Sequence, residues 1–153
     1  MKVLIDTNLL TRLAITSDPQ HAMAVQAILK LDEADCEICL IPQVLYEYWS
    51  VATRPVEVNG LGMSPAAAGE SIRDLIDTYD LHRDEDRMFD LWLQLAITHA
   101  VKGKNGHDTR IVAAMQCHGL TNLVTFNVSD FARFASIINV YSPADIVNGL
   151  LKA

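Results

Sequence analysis

The amino-acid sequence predicts an α/β protein in which a parallel sheet is covered by helices on both faces. The main observation is that short apolar runs of strand length alternate with longer segments of helical periodicity. Half of the residues are hydrophobic and a fifth are charged, which is typical of a globular domain. The 153 residues contain no internal repeat and no low-complexity tract, so we expect a single domain over residues 1–153.

The first half of the chain is predicted to contain two strands and three helices. A proline at the first helical position marks the start of the second and third helices, and a serine precedes the latter as a cap. The first helix is expected to bury the face formed by Ala22, Val25, Ile28 and Leu29. In order, the elements are the strand Lys2–Ile5, the helix Gln20–Leu31, the strand Glu37–Ile41, and helices from Pro42 to about Thr53 and from Pro65 to about Thr78.

The second half continues the alternation after an irregular segment, Arg54–Met63. Glycines that follow the last helical residues are expected to end the two longer helices. The predicted elements are a helix over Asp84–Val101, a helix from His107 or Asp108 to Gly119, a strand over Leu123–Phe126, a short helix over Asp130–Phe134, a strand over Ile137–Val140, and a C-terminal helix capped by Ser142 and Pro143.

The net charge of −7 argues against a broad basic face of the kind that binds nucleic acid non-specifically. A nucleic acid would have to be held locally, by bound metal and a few cations. No signal-peptide core and no apolar run of membrane-spanning length is present, so we expect a cytoplasmic protein without membrane contact. The candidate cations are Arg12, Arg54, Lys102, Lys104 and Arg110.

The three cysteines are expected to be buried free thiols. Cys36 and Cys39 are spaced like a metal-binding pair. They fall within a predicted strand, however, where residues three apart point to opposite faces and cannot chelate one ion. Cys117 is the third cysteine, and it is followed by a histidine near a helix end.

Acidic side chains occur at positions where the predicted sheet would gather them at one edge. Asp6 directly follows the first strand, and Asn127 and Asp130 follow the strand at Leu123–Phe126. Ligands of open α/β sheets bind beyond the carboxyl ends of the strands. A purely structural alternative remains open, because Asp6 and Asp130 could serve only as helix caps.

Two further acids interrupt apolar helix faces. Glu47 shares its face with Val44 and Tyr48, and Asp108 begins a row that continues through Ile111. An ionised side chain facing a sheet is costly unless it is paired or binds a cation. The alternatives are that Glu47 lies on a solvated flank and that Asp108 is an N-cap. A cluster of all four acids would require protons or a divalent cation, and such metal sites usually act on phosphate.

Taken together, these segments resemble PIN-domain ribonucleases, and most closely the VapC-like toxins of bacterial type II toxin–antitoxin pairs. The resemblance is based on Asp6-Thr7-Asn8 after the first strand, Glu47 in the helix after the second, the run from Gly106 to Met115, and the run from Leu123 to Phe131. It covers essentially the whole chain. It implies a PIN-like three-layer sandwich with a central parallel sheet.

The resemblance also implies a function and a set of site residues. Asp6 and Asp108 would be the principal ligands of Mg²⁺, or of Mn²⁺, with Glu47 as the third acid and Asp130 as the fourth. Many relatives have an acid where this chain has Asn127, so Asn127 remains the alternative to Asp130 for the fourth position. Thr7, Asn8 and Thr125 would support the site. Lys102, Lys104 and Arg110, which flank Asp108, would contact RNA phosphates. Water would attack in line and leave a 3′-hydroxyl and a 5′-phosphate.

The same resemblance implies two protein partners, a cognate antitoxin and a second copy of the chain in a homodimer. Other functions stay open at this point. A catalytically weak or inactive PIN-like module could bind RNA or protein, and a housekeeping nuclease could process RNA. An aspartyl-phosphate phosphatase is disfavoured, because Asn8 stands where its second acid is needed. A phosphoacceptor receiver would need adjacent acids at the end of the first strand, which are absent.

Overall fold

A five-stranded sheet forms the centre of the protein. The structure is a computed structural model, and it describes residues 1–151. All strand pairs are parallel, and the order across the sheet is β3-β2-β1-β4-β5. The parallel sheet predicted from the sequence is therefore confirmed. Its strands are β1 (Lys2–Ile5), β2 (Glu37–Leu40), β3 (Asp80–Leu81), β4 (Asn122–Val124) and β5 (Asn139–Tyr141).

Helices flank the sheet in two packed groups. One group contains α1 to α4 together with α7, and the other contains α5 packed against α6. This arrangement confirms the expected α/β sandwich. The helices are α1 (Thr7–Ala14), α2 (His21–Glu33), α3 (Pro42–Thr53), α4 (Pro65–Thr78), α5 (Met88–Thr98), α6 (Asn105–Cys117) and α7 (Pro143–Val147), and 3₁₀ turns occupy Val56–Val58 and Val128–Phe134.

Several helices begin where the sequence chemistry predicts. Pro42 opens α3, since its missing N–H is one that a helix start does not need. The Ser64 side chain accepts a hydrogen bond from the N–H of Ala67 at the start of α4. Ser142 and Asp145 form a reciprocal capping box at α7, in which each side chain accepts from the other's backbone N–H.

Two elements were missed by the sequence analysis. Helix α1 begins directly after β1, with Asp6 as its N-cap. It is only eight residues long, and threonine and asparagine at its start have low helix propensity. Strand β3 has two residues, one of them charged, so it has no apolar pattern of its own and exists only through pairing with β2.

Several predicted boundaries and faces were wrong. Strand β4 ends at Val124, two residues earlier than expected, and β5 starts at Asn139, two residues later than expected. Helix α5 starts at Met88, four residues later than expected. Helix α6 starts at Asn105, so Asp108 lies in its first turn and is not the N-cap. The buried face of α2 consists of Ala24, Ala27 and Leu31, whereas Ala22 and Leu29 are exposed. Helix α2 packs mainly against α7 and α1, and small alanines in its buried face allow close approach of the helices, so hydrophobicity alone placed the face incorrectly.

The hydrophobic core is continuous across both sides of the sheet. Strands β1 and β2 each have one exposed residue followed by three buried ones. Phe131 and Phe134 of the 3₁₀ turn after β4 are among the largest fully buried side chains. Within residues 1–151, no helix is both long enough and apolar enough to cross a membrane.

Candidate active site

The sheet order places its switch point between β1 and β4. Strand β1 pairs with β2 on one side and with β4 on the other. Chain connections leave these two strands in opposite directions, which opens a crevice at their carboxyl ends. Asp6 follows β1 at this crevice, and Thr125 follows β4, so the fold brings the two loops together.

The Asp6 carboxylate is buried and accepts three hydrogen bonds. Its side chain is an N-cap that accepts a hydrogen bond from the Thr7 N–H at 2.7 Å. Its second oxygen accepts from the Thr125 hydroxyl at 2.7 Å and from the Asn8 side-chain amide at 2.9 Å. These three donors fix the rotamer of Asp6 and stabilise its ionised form.

Thr125 and Asn8 join the two loops beneath the carboxylate. The Thr125 hydroxyl, which is wholly buried, also accepts hydrogen bonds from the Asn8 amide and from the Asn127 N–H. The Asn8 carbonyl oxygen accepts from the Phe126 N–H at 3.1 Å. Both residues therefore hold Asp6 in position.

Glu47 of α3 reaches the same crevice and is only half-buried. One carboxylate oxygen accepts from the Thr7 hydroxyl at 2.9 Å and the other from the Gln43 amide at 2.9 Å. Gln43 also donates to the His107 carbonyl, which ties α3 to the first turn of α6. Gln43 is a site residue that the sequence analysis missed, although its position four residues before Glu47 was a usable signal.

The four predicted acids line one cleft of about 390 Å³. Asp108 enters from the first turn of α6, while Asn127 and Asp130 are exposed at its rim. Within residues 1–151, no three of the acids Asp6, Glu47, Asp108 and Asp130 have ligand atoms that all lie within 4.8 Å of one another. The cleft is also lined by Thr7, Asn8, Thr11, Arg12, Ser50, Val51, Arg54, Ile111 and Phe131.

Mutual repulsion links the carboxylates electrostatically. Burial, with smaller contributions from Glu47 and Asp108, raises the pKa of Asp6 to about 6 despite the lowering effect of the hydrogen bonds from Thr125 and Thr7. Burial also raises the pKa of Asp108, with added contributions from Asp130 and Glu47. Each acid is thus destabilised as an anion by its neighbours, and a bound cation would relieve that cost.

The donor set fits a hard divalent metal. Every candidate ligand is a carboxylate or amide oxygen, which Mg²⁺ and Mn²⁺ prefer over nitrogen or sulfur. Asp6 is buried and oriented, and Asp108 lies in the first turn of α6. Because burial and neighbouring acids raise the pKa of both carboxyl groups, a bound cation would stabilise their ionised forms.

The predicted phosphate-binding cations have different environments. Arg110 donates to the side-chain amide oxygen of Gln43 and to Asp84, with which it forms an ion pair at 2.8 Å. Lys102 and Lys104 are exposed in the loop before α6, and Lys104 is close enough to lower the pKa of Asp108. Arg12 and Arg54, rather than these three, line the cleft itself.

Comparison with known proteins identifies the fold. The chain is similar to the toxin–antitoxin structure VapBC-1 of nontypeable Haemophilus influenzae, with a TM-score of 0.68, 14% identity, and coverage of 94% of this chain and 99% of that one. It is also similar to VapBC2 of Rickettsia felis bound to promoter DNA, with a TM-score of 0.66, 14% identity, and coverage of 93% and 98%.

A third similar structure is that of a toxin with a known RNA target. It is VapC20 of Mycobacterium tuberculosis, a toxin that cleaves the sarcin–ricin loop, with a TM-score of 0.62, 16% identity, and coverage of 90% of this chain and 96% of that one. No family model matches the chain, and no curated protein matches it. The protein thus has the fold of VapC-like PIN-domain toxins, as the sequence resemblance implied.

Proposed function

We propose that the protein is a metal-dependent endoribonuclease and the toxin of a type II toxin–antitoxin pair. The observation that carries the proposal is the convergence of Asp6, Glu47, Asp108 and Asp130 on one cleft at the switch point of the sheet. These acids come from four separate segments. The fold shared with VapC toxins, one of them described as cutting RNA, supports the reaction class.

Asp6 and Asp108 would hold the metal, Mg²⁺ or Mn²⁺, with Glu47 and Asp130 completing the site. When bound, such an ion polarises a phosphodiester and lowers the pKa of water. The protein's own contribution is to keep Asp6 ionised and oriented through Thr7, Asn8 and Thr125. Glu47 is held by Thr7 and Gln43 facing the cleft, where it can accept a proton or position water.

The net charge of −7 is compatible with an RNA substrate, because a few cations at or before the cleft can contact phosphates locally. Arg12 and Arg54 line the cleft, and Lys102 and Lys104 lie exposed before α6. We assign phosphate contacts to Lys102 and Lys104, and expect a smaller contribution from Arg110, whose guanidinium is already paired with Asp84. A bound divalent cation would add local positive charge.

A metal-dependent RNA cleavage assay tests the enzyme. Asp6→Asn and Asp108→Asn are each expected to lower Mg²⁺-dependent cleavage by about a hundredfold or more, since each removes an anionic ligand from the site. Asp90→Asn, an exposed acid on α5, is the matched control and should leave cleavage unchanged. Full activity in both site variants would refute the assignment, and an inactive wild-type chain would favour a binding module.

The proposed partner is a cognate antitoxin with a segment that lies along α3 and α4. An apolar groove there is lined by Leu45, Tyr46, Trp49, Ile72 and Ile76, and both aromatic residues are exposed. A basic residue of the same segment could enter the acidic cleft next to it. Co-expression with the adjacent small reading frame should yield a complex and suppress both toxicity and cleavage; a housekeeping nuclease would show neither effect.

The proposal includes a homodimer. Helix α5 presents Phe89, Leu93 and Ile97 on one face at spacings of four residues, and all three are exposed. A face of this kind is well suited to isologous packing against a second copy. Light scattering of the purified chain gives the oligomeric state directly, and a monomer at high micromolar concentration would contradict this part of the proposal.

A further inference from the structure

A second cluster of metal-binding side chains lies away from the acidic cleft, on the sheet near its β3 edge. Glu37 and Cys39 are two residues apart in β2 and share one face of the sheet. Asp80 pairs with Cys39 across the two strands, and His82 follows two residues later on the same face. One ligand atom from each of the four residues lies within 4.8 Å of the others.

We propose that Glu37, Cys39, Asp80 and His82 form a structural zinc site. Zinc prefers four ligands that combine sulfur, nitrogen and carboxylate oxygen, in a tetrahedron with bonds of roughly 2.0–2.3 Å. Such bonds place ligand atoms about 3.3–3.8 Å apart. The widest pairs in the cluster therefore need to close by at most about 1.5 Å, whereas His82 and Asp80, at 2.9 Å, need to separate slightly. Glu37 and Asp80 can supply this movement, because about half of each side chain is exposed.

One ring nitrogen of His82 has no aligned hydrogen-bond partner within residues 1–151. Its Nε2 atom is buried from solvent and makes no hydrogen bond, although it lies 2.9 Å from an oxygen of Asp80. A neutral imidazole in that position would turn its lone pair or a badly aligned N–H toward the carboxylate. The His118 ring lies against His82 with centroids 4.9 Å apart and holds the imidazole in place. A metal between His82 and Asp80 would satisfy both groups.

The charges of the cluster also fit one divalent ion. Lys2 lies 3.0 Å from Glu37 and 3.6 Å from Asp80, so one cation faces two carboxylates. Zinc bound to a Cys39 thiolate would bring two positive charges and create one negative charge, which leaves the cluster neutral. Burial raises the pKa of the Cys39 thiol to about 11, so binding at neutral pH must displace its proton.

The cluster connects elements that are otherwise weakly joined. Strand β3 contributes only two residues to the sheet, and an irregular segment leads from it to α5. A metal with ligands from both β2 and β3 would fix this edge strand. The thiol and imidazole distinguish the site from the oxygen-only cleft, because Mg²⁺ binds neither ligand well. The inference is therefore independent of the proposed nuclease activity.

Cobalt is the probe, since Co²⁺ replaces zinc and reports a thiolate ligand through a charge-transfer absorption band. In the purified full chain the band is expected to saturate with one Co²⁺ bound at the Cys39 site, whether or not the acidic cleft also takes Co²⁺, and Zn²⁺ should remove the band by displacement. Cys39→Ser should abolish it, and His82→Gln and Asp80→Asn should each weaken Co²⁺ binding about tenfold or more. Lys2→Gln should strengthen binding, because it removes a cation beside the metal.

The controls separate this site from the rest of the molecule. Cys36→Ser, Cys117→Ser and the double variant Asp6→Asn/Asp108→Asn should keep the band at full intensity. If Cys39→Ser fails to fold, the partly exposed positions Asp80 and His82 still decide the outcome. The absence of a band at saturating Co²⁺ in the wild-type chain would overturn the proposal, as would unchanged affinity in both His82→Gln and Asp80→Asn.

Discussion

At the residue scale, the cleft combines one fixed carboxylate with others that are held less tightly. Asp6 accepts three hydrogen bonds and is buried, whereas Asp130 is exposed at the rim. Asp6 can therefore set the position of a metal, while the rim acids adjust to it and to the substrate. This division of roles gives each carboxylate a different expected response to substitution.

Replacing Asp108 is expected to stabilise the metal-free protein. The pKa of Asp108 is raised above 3.8 by burial, Asp130 and Glu47, so keeping it ionised costs stability above its folded pKa. That cost disappears as the pH falls below 3.8, where the group is protonated in both states. Asp108→Asn should therefore raise the melting temperature in chelator at about pH 8, with a gain that shrinks toward about pH 4.

Asp6→Asn serves as the comparison for this experiment. Its carboxylate also has a raised pKa, but an asparagine amide would turn a donor toward the Asn8 amide and lose a charge-assisted hydrogen bond. That loss costs about 1–3 kcal/mol and offsets the relief of repulsion. A smaller gain, or none, is expected for Asp6→Asn. Destabilisation by Asp108→Asn at about pH 8 would contradict the repulsion argument.

The fourth acidic position is expected to be Asp130 rather than Asn127. An anion attracts a divalent ion and orients its water more strongly than a neutral amide does. The hydrogen bond from the Asn127 N–H to Thr125 is a backbone contact, so Asn127→Ala removes only the side-chain amide and keeps this contact. Asp130→Ala should reduce cleavage by about tenfold and Asn127→Ala by less. A normal Asp130→Ala beside an inactive Asn127→Ala would move the fourth role to Asn127.

At the scale of elements, the long periodic segments could be predicted and the short ones could not. Helices α3 and α4 carry a proline start and match their expected bounds. Strand β3 and helix α1 depend on tertiary contacts, and their own sequences contain too few residues for a pattern. The proposed zinc site could not be predicted for the same reason. Its ligands come together only through the pairing of β2 with β3, whereas the sequence suggested Cys36 as the only nearby partner of Cys39.

The loop after α3 is held by backbone hydrogen bonds in a conformation that positions Arg54 at the cleft. Leu61 and Met63 donate backbone hydrogen bonds to Val51 and Ala52, which fold the loop back on the helix. A Cβ added to Gly60 would lie 1.9 Å from the Arg54 carbonyl oxygen. Gly60→Ala is therefore expected to destabilise the protein by about 1–3 kcal/mol, since the backbone must move.

Gly69 provides the matched control for Gly60. It lies within α4, and a Cβ there would meet nothing within 4 Å. Gly69→Ala should stabilise the protein by up to about 1 kcal/mol through helix propensity. Urea unfolding of the two variants measures both effects. Equal stabilities would show that the loop is free to rearrange and that it does not fix Arg54.

At the scale of the whole molecule, the charge distribution limits how RNA can be held. With a net charge of −7, the cations available to RNA form a small local group. Arg12 and Arg54 line the cleft, and Lys102 and Lys104 lie before α6. An acidic body repels a long duplex, so we expect binding to single-stranded or looped RNA that can bend into the cleft. Few phosphates are then neutralised by side chains, and few counterions are released.

The salt dependence of RNA binding measures the number of phosphates that side chains neutralise. With about two to four phosphate contacts, the slope of log affinity against log salt should be about −1.5 to −3 for single-stranded RNA. The measurement is the binding of a fluorescent, non-cleavable RNA at fixed Mg²⁺ over a series of NaCl concentrations. Lys104→Gln should reduce the slope by about 0.7, whereas Lys30→Gln, on the distant helix α2, should not change it. A slope steeper than about −5 would indicate an extended basic surface, which the charge distribution of this chain contradicts.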